Sequence, residues 1–558
     1  MSGNKILPLE ERTLPPFDSG RCPVYVRRLP PCKNACPSSE DIRGHLTQVA
    51  QSELFGRSLE ESFDEGWHII TDKNPFPAVI GRICPHPCED ACNRRRRDWS
   101  VAIHNLERFI GDHGLERGLE LRRLTDENQP RPVAIVGAGP SGLSCAYQLA
   151  RRGYKTTVFE AAGESGGMLR AGIPSYRLPR EVLDAEIHNI TALGVEIRHG
   201  VRIGVDFTLE ELRGEYGAVY VAVGAHKGIS LEVQGDDLPG VLPAQEFLSR
   251  ANSGELHDAG RKVLVIGGGN GAIDAARVAL RLGAQVTVAY RRTRFEMPAI
   301  PSETLEAEKE GIKFEFQAAP LEITATGADQ PALAVNFIRT EPGLPDGSGR
   351  HRPVPVEGSG FSVPADTVIA AIGQRSDLSG IEGLADQAGW VRTSPVFETS
   401  TPGVFAGGDM LSPGFATAAI GQGRKAAGAI DDFLQGRESR KPFIPAPIDA
   451  SEMRLDYYRI EPRNDHAVEL VEGRTGDFRE VNLPLTLEEA VNETHRCMSC
   501  GRCFVCDRCR IYCPWEAISK DMTRPIGFNM FTDYAKCSGC SICAMTCPCH
   551  YIQMDYGA

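Results

Sequence analysis

The stretch VAIVGAGPSG, residues 133–142, decides the fold. An apolar run ends on Gly137, and Gly139 and Gly142 follow at G-x-G-x-x-G spacing before an amphipathic segment. Glycines there permit a tight turn and close approach of the backbone to a pyrophosphate, whose charge a helix N-terminus stabilises. The next apolar run, KTTVFE (155–160), ends on Glu160, an acid that can accept hydrogen bonds from a ribose. Strand, loop, helix and acid in register specify a dinucleotide-binding α/β unit. The pattern starts afresh at VIGGGNGAIDAA (265–276), with Gly267, Gly269 and Ala272 in the same places. Its following strand ends VTVAYRR, so Tyr290 stands where the acid stood, and Arg291 and Arg292 come next. An acid would repel a 2′-phosphate and two guanidiniums would pair with it, which favours NADP(H) over NAD(H).

Working outward, the runs AVYVAVG (218–224) and DTVIAAIG (366–373) continue the strand-and-helix alternation of a parallel sheet. The expected fold class is α/β: two Rossmann-like domains, the FAD domain (131–255 and 366–435) interrupted by the NAD(P) domain (256–365). A helical iron–sulphur domain (1–130) precedes them. A linker (436–495) and a ferredoxin-like α+β domain (496–558) follow. EPGLPDGSGRHRPVPVEGSG (341–360) reads as loop. Ser38 with Asp41, and Thr486 with Glu489, give two capping-box signals for helix starts. Two dinucleotide loops in one chain imply FAD in one and a nicotinamide in the other, with hydride passing between stacked rings.

The 558 residues are too many for one core. A formal charge of −13 argues against a nucleic-acid partner bound through its phosphates. The N-terminal stretch MSGNKILPLEERTLPPF has no signal-peptide pattern, and no apolar run is long enough to span a bilayer, so no membrane is expected and the location reads as cytoplasmic.

The 18 cysteines are clustered, with none between Cys145 and Cys497, which points to metal sites rather than disulphides. It also excludes a disulphide outlet for the flavin within the chain; Cys145 alone on a helix reads as a small core residue. CFVCDRCRIYCP (503–514) and CSGCSICAMTCP (537–548) are two copies of the C-x2-C-x2-C-x3-C-P run, which wraps three thiolates round one [4Fe-4S] cluster and lends the fourth to its neighbour. Cys503, Cys506, Cys509 and Cys547 then hold one cluster, and Cys537, Cys540, Cys543 and Cys513 the other. Zinc, the rival occupant, usually takes two separated pairs. Cys497, Cys500 and Cys549 fall outside this frame as structural or free thiols. At the other end PPCKNACP (30–37) and ICPHPCEDAC (83–92), with Cys22 upstream, supply six cysteines, too few for two four-ligand clusters. One cluster, a non-cysteine ligand or a neighbour's ligand must make up the count. Arg94 to Arg97 read as a solvated basic face.

Two such loops, with GVFAGGDM (403–410) after them, resemble the flavoproteins with two dinucleotide-binding domains. That resemblance implies that Asp409 holds the ribitol, and it carries over Pro140, Ser141, Gly167, Gly373, Gly408, Thr417, Ala418 and Asn270 as further cofactor-binding positions. With GIPSYRLP (172–179), YRRTRFEMPA (290–299) and the N-terminal cysteines added, the first 440 or so residues look like the glutamate synthase small-subunit family. That family includes the matching half of dihydropyrimidine dehydrogenase. The resemblance implies that Cys36, Cys84 and Cys88 bind a cluster near the flavin, with Glu107 of the NLERF stretch as fourth ligand. Cys32, Cys92 and Cys22 would belong to a second cluster one cysteine short.

The expected function is electron transfer between NAD(P)H and a protein redox partner through FAD and [4Fe-4S] clusters, two in the tail and one or two at the N-terminus. Tailed flavoproteins of this kind resemble pyridine-nucleotide modules of larger enzymes, such as dissimilatory sulphite reductase or a 2-oxoacid oxidoreductase. A glutamate synthase small subunit and a non-catalytic electron-wiring subunit are the alternatives, and homo-oligomerisation stays open. No catalytic side chain is expected, because binding geometry carries the hydride step.

Overall fold

The computed structural model describes residues 20–327, 332–439 and 444–556; the whole N-terminal stretch read for a signal lies outside them. Strand β2 (Val133–Val136) is buried along its whole length, as an apolar run covered on both faces must be. It is central in a five-stranded parallel sheet ordered β17 (Val404–Ala406), β5 (Ala218–Val221), β2, β3 (Thr156–Glu160), β4 (Glu196–His199). Helix α7 (Pro140–Ala150) leaves the glycine loop with Pro140 in its first turn, where no backbone N–H is needed. Helix α14 (Ala416–Leu434) lies along α7; a Cβ at Gly423 would sit 2.1 Å from the Ser141 carbonyl oxygen, so only glycine allows the approach. Helices α8 (Met168–Ala171), α9 (Arg180–Thr191) and α10 (Leu209–Glu215) complete this domain.

A second parallel sheet runs β10 (Lys313–Phe316), β9 (Gln285–Tyr290), β8 (Lys262–Ile266), β15 (Thr367–Ala370), β7 (Val241–Pro243), with helices α11 (Ala244–Asn252), α12 (Asn270–Arg281) and α13 (Pro301–Lys309). The expected boundaries at 255 and 366 therefore shift. β7 and β15 both pair in the second sheet, β15 in register with β8 from Thr367 opposite Val263. The chain crosses between the domains beyond those strands, where β6 (Lys227–Gly228) and β16 (Gln374–Arg375) run antiparallel. The expected loop at 341–360 is also corrected. Within an antiparallel sheet of β11 (Ala318–Ala325), β12 (Leu333–Pro345), β13 (His351–Pro355) and β14 (Phe361–Ala365), the ends of β12 and β13 form a ribbon. Its prolines Pro342 and Pro353 face each other, as edge positions tolerate.

The N-terminal domain is helical: α1 (Pro31–Ala35), α2 (Ile42–Ala50), α3 (Leu59–Thr71), α4 (Pro77–Ile83), α5 (Pro87–Asp90) and α6 (Ile103–Glu116). Its buried Trp67 and Ile110 share one apolar core with Tyr147, Leu183 and Ile420 of the first dinucleotide-binding domain. Glu186 of α9 accepts from the Ala78 and Val79 N–H groups in the first turn of α4. The first capping box does not form: Asp41 makes no cap bond, and buried Ser38 instead donates to the Thr417 carbonyl at 3.1 Å.

The segment after 444 is more than a linker. It carries α15 (Val471–Arg474) and α16 (Leu487–His495), whose Thr486–Glu489 capping box is complete. Buried Arg94 donates to the Arg459 and Arg496 carbonyls, 2.7 Å each, and Arg97 to that of Tyr458 at 2.9 Å. The basic run thus divides: Arg95 and Arg96 are exposed, while Arg94 and Arg97 clamp the tail. In the tail, α17 (Arg508–Ile511) and α18 (Ile542–Thr546) pack together beside β18 (Ile518–Lys520), β19 (Met530–Thr532) and β20 (Ile552–Tyr556). Strand β1 (Arg21–Tyr25) pairs antiparallel with β20, so the first and last strands of the described residues meet in one ribbon. No helix among the described residues is long and apolar enough to cross a membrane.

Candidate cofactor and cluster sites

At the first glycine loop Gly137 has φ +103°, and a Cβ there would meet the Ala222 carbonyl oxygen at 2.5 Å. Gly139 opens outward, with nothing nearer its Cβ position than the Gly167 Cα at 4.0 Å. Gly167 in turn leaves no room for a side chain against Gly139, so two bare backbones face each other at the mouth of α7. Glu160 ends β3 and already accepts from the Ala138 and Ala162 N–H groups at 2.6 and 2.8 Å, which fixes its carboxylate beside the loop. Ser141 is tied to the Tyr220 hydroxyl at 2.7 Å, and the Gly408 N–H donates to Gln422 at 2.6 Å. Burial raises the Asp409 carboxyl to about 6 against the one N–H it receives, from Gly414. Thr417 and Ala418 start α14. These residues fit a dinucleotide: a cradle that a Cβ would fill, a helix N-terminus for phosphate and flanking carboxylates for hydroxyls.

The second loop repeats the device. A Cβ on Gly267 would lie 2.2 Å from the Ala371 oxygen, whereas Gly269 has nothing within 4 Å. Ala272 is buried in α12, and Asn270 accepts from the Ile300 N–H at 2.9 Å, closing the loop beyond β9. Gly373 has φ +152° and faces Ile229 at the crossing. The two arginines are not equivalent. Arg291 is exposed, but Arg292 is buried, donating to Asp346 and to the His351 carbonyl at 2.8 Å each. The β12–β13 ribbon thus consumes one of the two expected phosphate partners.

Four sulphur constellations emerge. Cys36, Cys84, Cys88 and Glu107 face one another: beyond the effect of burial, Glu107 and Cys36 raise the Cys84 thiol, and Cys84, Cys36 and Glu107 raise that of Cys88. Glu107 is itself pushed up by burial and by Glu40, and accepts from Asn74 at 3.0 Å. In the tail Cys513, Cys537, Cys540 and Cys543 line one cavity. Cys503, Cys506, Cys509 and Cys547 are mutual neighbours, with Cys549 lying 3.8 Å from Cys547. The fourth set corrects the sequence reading. Cys32 and Cys92 line a cavity with Cys497 and Cys500, the two cysteines left outside the frame. Cys22 is elsewhere, on β1 opposite Asp555 and beside Cys537, because that strand belongs to the tail's ribbon. The one available signal was the C-x2-C spacing of 497 and 500; which sulphurs converge across 400 residues is a property of docking.

Spacing of the thiols bears on what they can hold. Among the described residues only His86, Glu89 and His104 bring three ligand atoms within 4.8 Å of one another. A tetrahedral zinc with bonds of about 2.3 Å needs sulphurs about 3.8 Å apart. No three of the described thiols come within 4.8 Å of one another.

Residues 131–423, more than half of the chain, match the family model "Pyridine nucleotide-disulphide oxidoreductase", and residues 17–119 match "Dihydropyrimidine dehydrogenase domain II, 4Fe-4S cluster". The chain is 39% identical to the NADP(+)-dependent formate dehydrogenase subunit beta of Moorella thermoacetica, over 85% of this chain and 70% of that one. It is 38% identical to the NADPH-Fe(3+) oxidoreductase subunit beta of Geobacter sulfurreducens, over 86% and 77% respectively. Identity to the glutamate synthase [NADPH] small chain of Escherichia coli is 35%, over 75% of this chain and 93% of that one. Within 131–423 the sole cysteine is Cys145, fully buried on α7, so the disulphide in the family's title has no counterpart here. With its two glycine cradles, N-terminal 4Fe-4S domain and open thiol arrays, this chain belongs to the pyridine nucleotide-disulphide oxidoreductase family and is an NAD(P)H-dependent FAD and iron–sulphur oxidoreductase.

Proposed function

We propose that the chain moves electrons between NADPH and a protein redox partner, as the pyridine-nucleotide module of a larger enzyme. The observation that carries this reading is the seating of the Cys36 constellation on the flavin helix: Ser38 bonds Thr417, and a Cβ on Gly421 of α14 would lie 2.3 Å from the Pro37 oxygen. Bound FAD would supply the exchange between a two-electron hydride and single electrons. Gly137, Gly139 and Gly167 would admit its pyrophosphate, Glu160 and Asp409 would orient its hydroxyls, and Gly267 and Gly269 would admit the nicotinamide dinucleotide. Arg291 is the residue for the 2′-phosphate, which agrees with the NADP(H) in the names of the three relatives. Cys36, Cys84, Cys88 and Glu107 would hold the cluster nearest the flavin, and the two tail sets one cluster each.

A partner is expected at the tail, where Ile511, Tyr512 and Met545 are 66%, 51% and 59% exposed around Cys513 and Cys547. Dissimilatory sulphite reductase and 2-oxoacid oxidoreductases are the classes to test first. Anaerobic mixing with NADPH should bleach the flavin in the native chain and in Cys509→Ala alike, while reduction of the protein acceptor stops in the variant. An undisturbed acceptor rate puts the tail off the path. The 93% coverage of the glutamate synthase small chain favours a second reading, which requires co-purification with an amidotransferase subunit.

A further inference from the structure

Cys32 sits in α1 and Cys92 just beyond α5; Cys497 and Cys500 follow α16. All four thiols line one cavity, although no alignment of motifs joins them. We propose that Cys32, Cys92, Cys497 and Cys500 ligate a single [4Fe-4S] cluster, shared between the two ends of the chain and assembled only when those ends dock. The inference rests on the oxidoreductase reading above and adds a site, its ligands and its place in the electron path.

Three observations support it. First, the Cys497 loop has the turn of the loops proposed above to hold clusters. Ser499 takes φ +48°, as Val505, Gly539 and His86 take +59°, +70° and +46°, each two residues after a cysteine. In the last three the N–H turns back onto that cysteine's sulphur at 3.3–3.5 Å, and the Ser499 backbone likewise lowers the Cys497 thiol against the effect of burial. A non-glycine residue in this conformation is strained and persists where the surroundings demand it. Second, a buried cation is left in part unpaired at the cavity. Arg94 lines it but is paired with buried Asp98, whereas Arg43, 7% exposed, lines it with an Nε that has no hydrogen-bond partner among the described residues. Asn93 also donates to the Cys500 sulphur at 3.7 Å. Third, the docking that brings the sulphurs together is specific. Arg43 donates to the Cys500 carbonyl, the Arg28 N–H to that of Gly501 at 3.2 Å, and a Cβ on Gly501 would meet the Arg28 Cβ at 2.4 Å.

The position follows from the chain. Cys32 and Cys92 are each four residues from a member of the flavin-side set, Cys36 and Cys88, while Cys500 is three residues from Cys503 of the tail. The shared site therefore lies between them. Two single-electron passages account for the hydride of one NADPH: both electrons end on the protein acceptor, NADP+ leaves and the proton is released to solvent.

The test uses the full chain purified without oxygen, with iron, zinc, acid-labile sulphide and flavin counted per chain and EPR spectra taken after dithionite reduction. Cys497→Ala with Cys500→Ala, and separately Cys32→Ala, should each lose about four iron and about four sulphide, keep the flavin and lose the same EPR component. Cys22→Ala should keep the full count. An unchanged iron count in either the Cys32 or the tail variant overturns the proposal, as does one zinc per chain that those variants remove. Should the alanine variants lose every cluster, Cys497→Ser decides: an EPR component displaced at full iron supports the shared site, and an unaltered spectrum overturns it. Native chain with neither iron nor flavin would instead sink the oxidoreductase reading, and the proposal with it.

Discussion

Gly421→Ala sets two effects against each other at the joint between α14 and the Cys36 turn, the proposed junction of flavin and cluster. Helix propensity favours alanine over glycine by about 1 kcal/mol. Against it, the new Cβ would lie 2.3 Å from the Pro37 oxygen and 3.2 Å from the Ser38 nitrogen, so α14 and the Cys36 turn must part. Overpacking of this kind costs about 1–3 kcal/mol, and parting strains the 3.1 Å bond from Ser38 to Thr417, worth about 1 kcal/mol more. The clash wins, leaving a net loss of about 1–3 kcal/mol by the same estimates. Gly428→Ala in the same helix is the control. Its Cβ meets nothing within 4 Å, so it should gain up to about 1 kcal/mol. Denaturant midpoints compare the two. Anaerobic stopped-flow then asks whether NADPH bleaches the flavin of Gly421→Ala at the native rate while cluster reduction slows. If Gly421→Ala stabilises as Gly428→Ala does and electrons reach the clusters undelayed, the seating of α14 on Pro37 and Ser38 is not the junction argued here.

Arg291→Ala should weaken NADPH about tenfold or more by losing a charge-assisted bond and leave NADH nearly unchanged; direct titration of both nucleotides checks it, and equal losses would remove the phosphate contact. Arg292→Ala should affect both nucleotides alike, because that guanidinium is engaged with Asp346. Glu186, raised to about 8 by burial and in smaller part by Asp112, against the N–H groups of Ala78 and Val79 and the charge of Arg82, makes stability pH-dependent. Its folded pKa exceeds the unfolded value of about 4.3, so its contribution is complete below that pH and is lost as pH rises through about 8. Glu186→Gln should flatten a slope worth on the order of a few kcal/mol, read as denaturant midpoints at successive pH values. Arg94→Ala removes the clamp on the Arg459 and Arg496 carbonyls and leaves the Asp98 side chain, 1% exposed, with one partner fewer. Loss of about 3–5 kcal/mol is expected, with faster proteolysis of the tail as the assay.

Where structure resides in local spacing, the residues declared it. Both glycine loops, the Thr486–Glu489 cap and the two tail cysteine runs could be read because each is a contiguous pattern with one physical solution. What could not be read depends on contacts between distant segments. The same rules place Asp41 and Thr486 at helix starts, yet Ser38 forsakes the cap for the Thr417 carbonyl, a partner 379 residues away. Proline and glycine in 341–360 signal a loop, but a two-stranded ribbon tolerates Pro342 opposite Pro353, and nothing local says that its tip will capture Arg292. The run of four arginines looks solvated until the tail returns to cover Arg94. Cys497 and Cys500 gain a meaning only through that return.

The electron path proposed above would owe its continuity to these same short spacings. Cys32 and Cys36, and Cys88 and Cys92, lie four residues apart, as do Cys509 and Cys513, and Cys543 and Cys547; Cys500 and Cys503 lie three apart. Each pair sends its two sulphurs to neighbouring sites. Four residues of helix advance about 6 Å, and even fully extended chain spans no more than about 14 Å. Each gap between adjacent sites is thereby held to a few residues of backbone. The flavin-side set and the tail share no such pair directly; their only short links run through Cys32 and Cys92 on one side and Cys500 on the other. Removing the shared cluster should therefore interrupt flow to the acceptor even with both neighbours fully loaded. Docking of the two chain ends would then do double service, completing a ligand set and closing the circuit in one step.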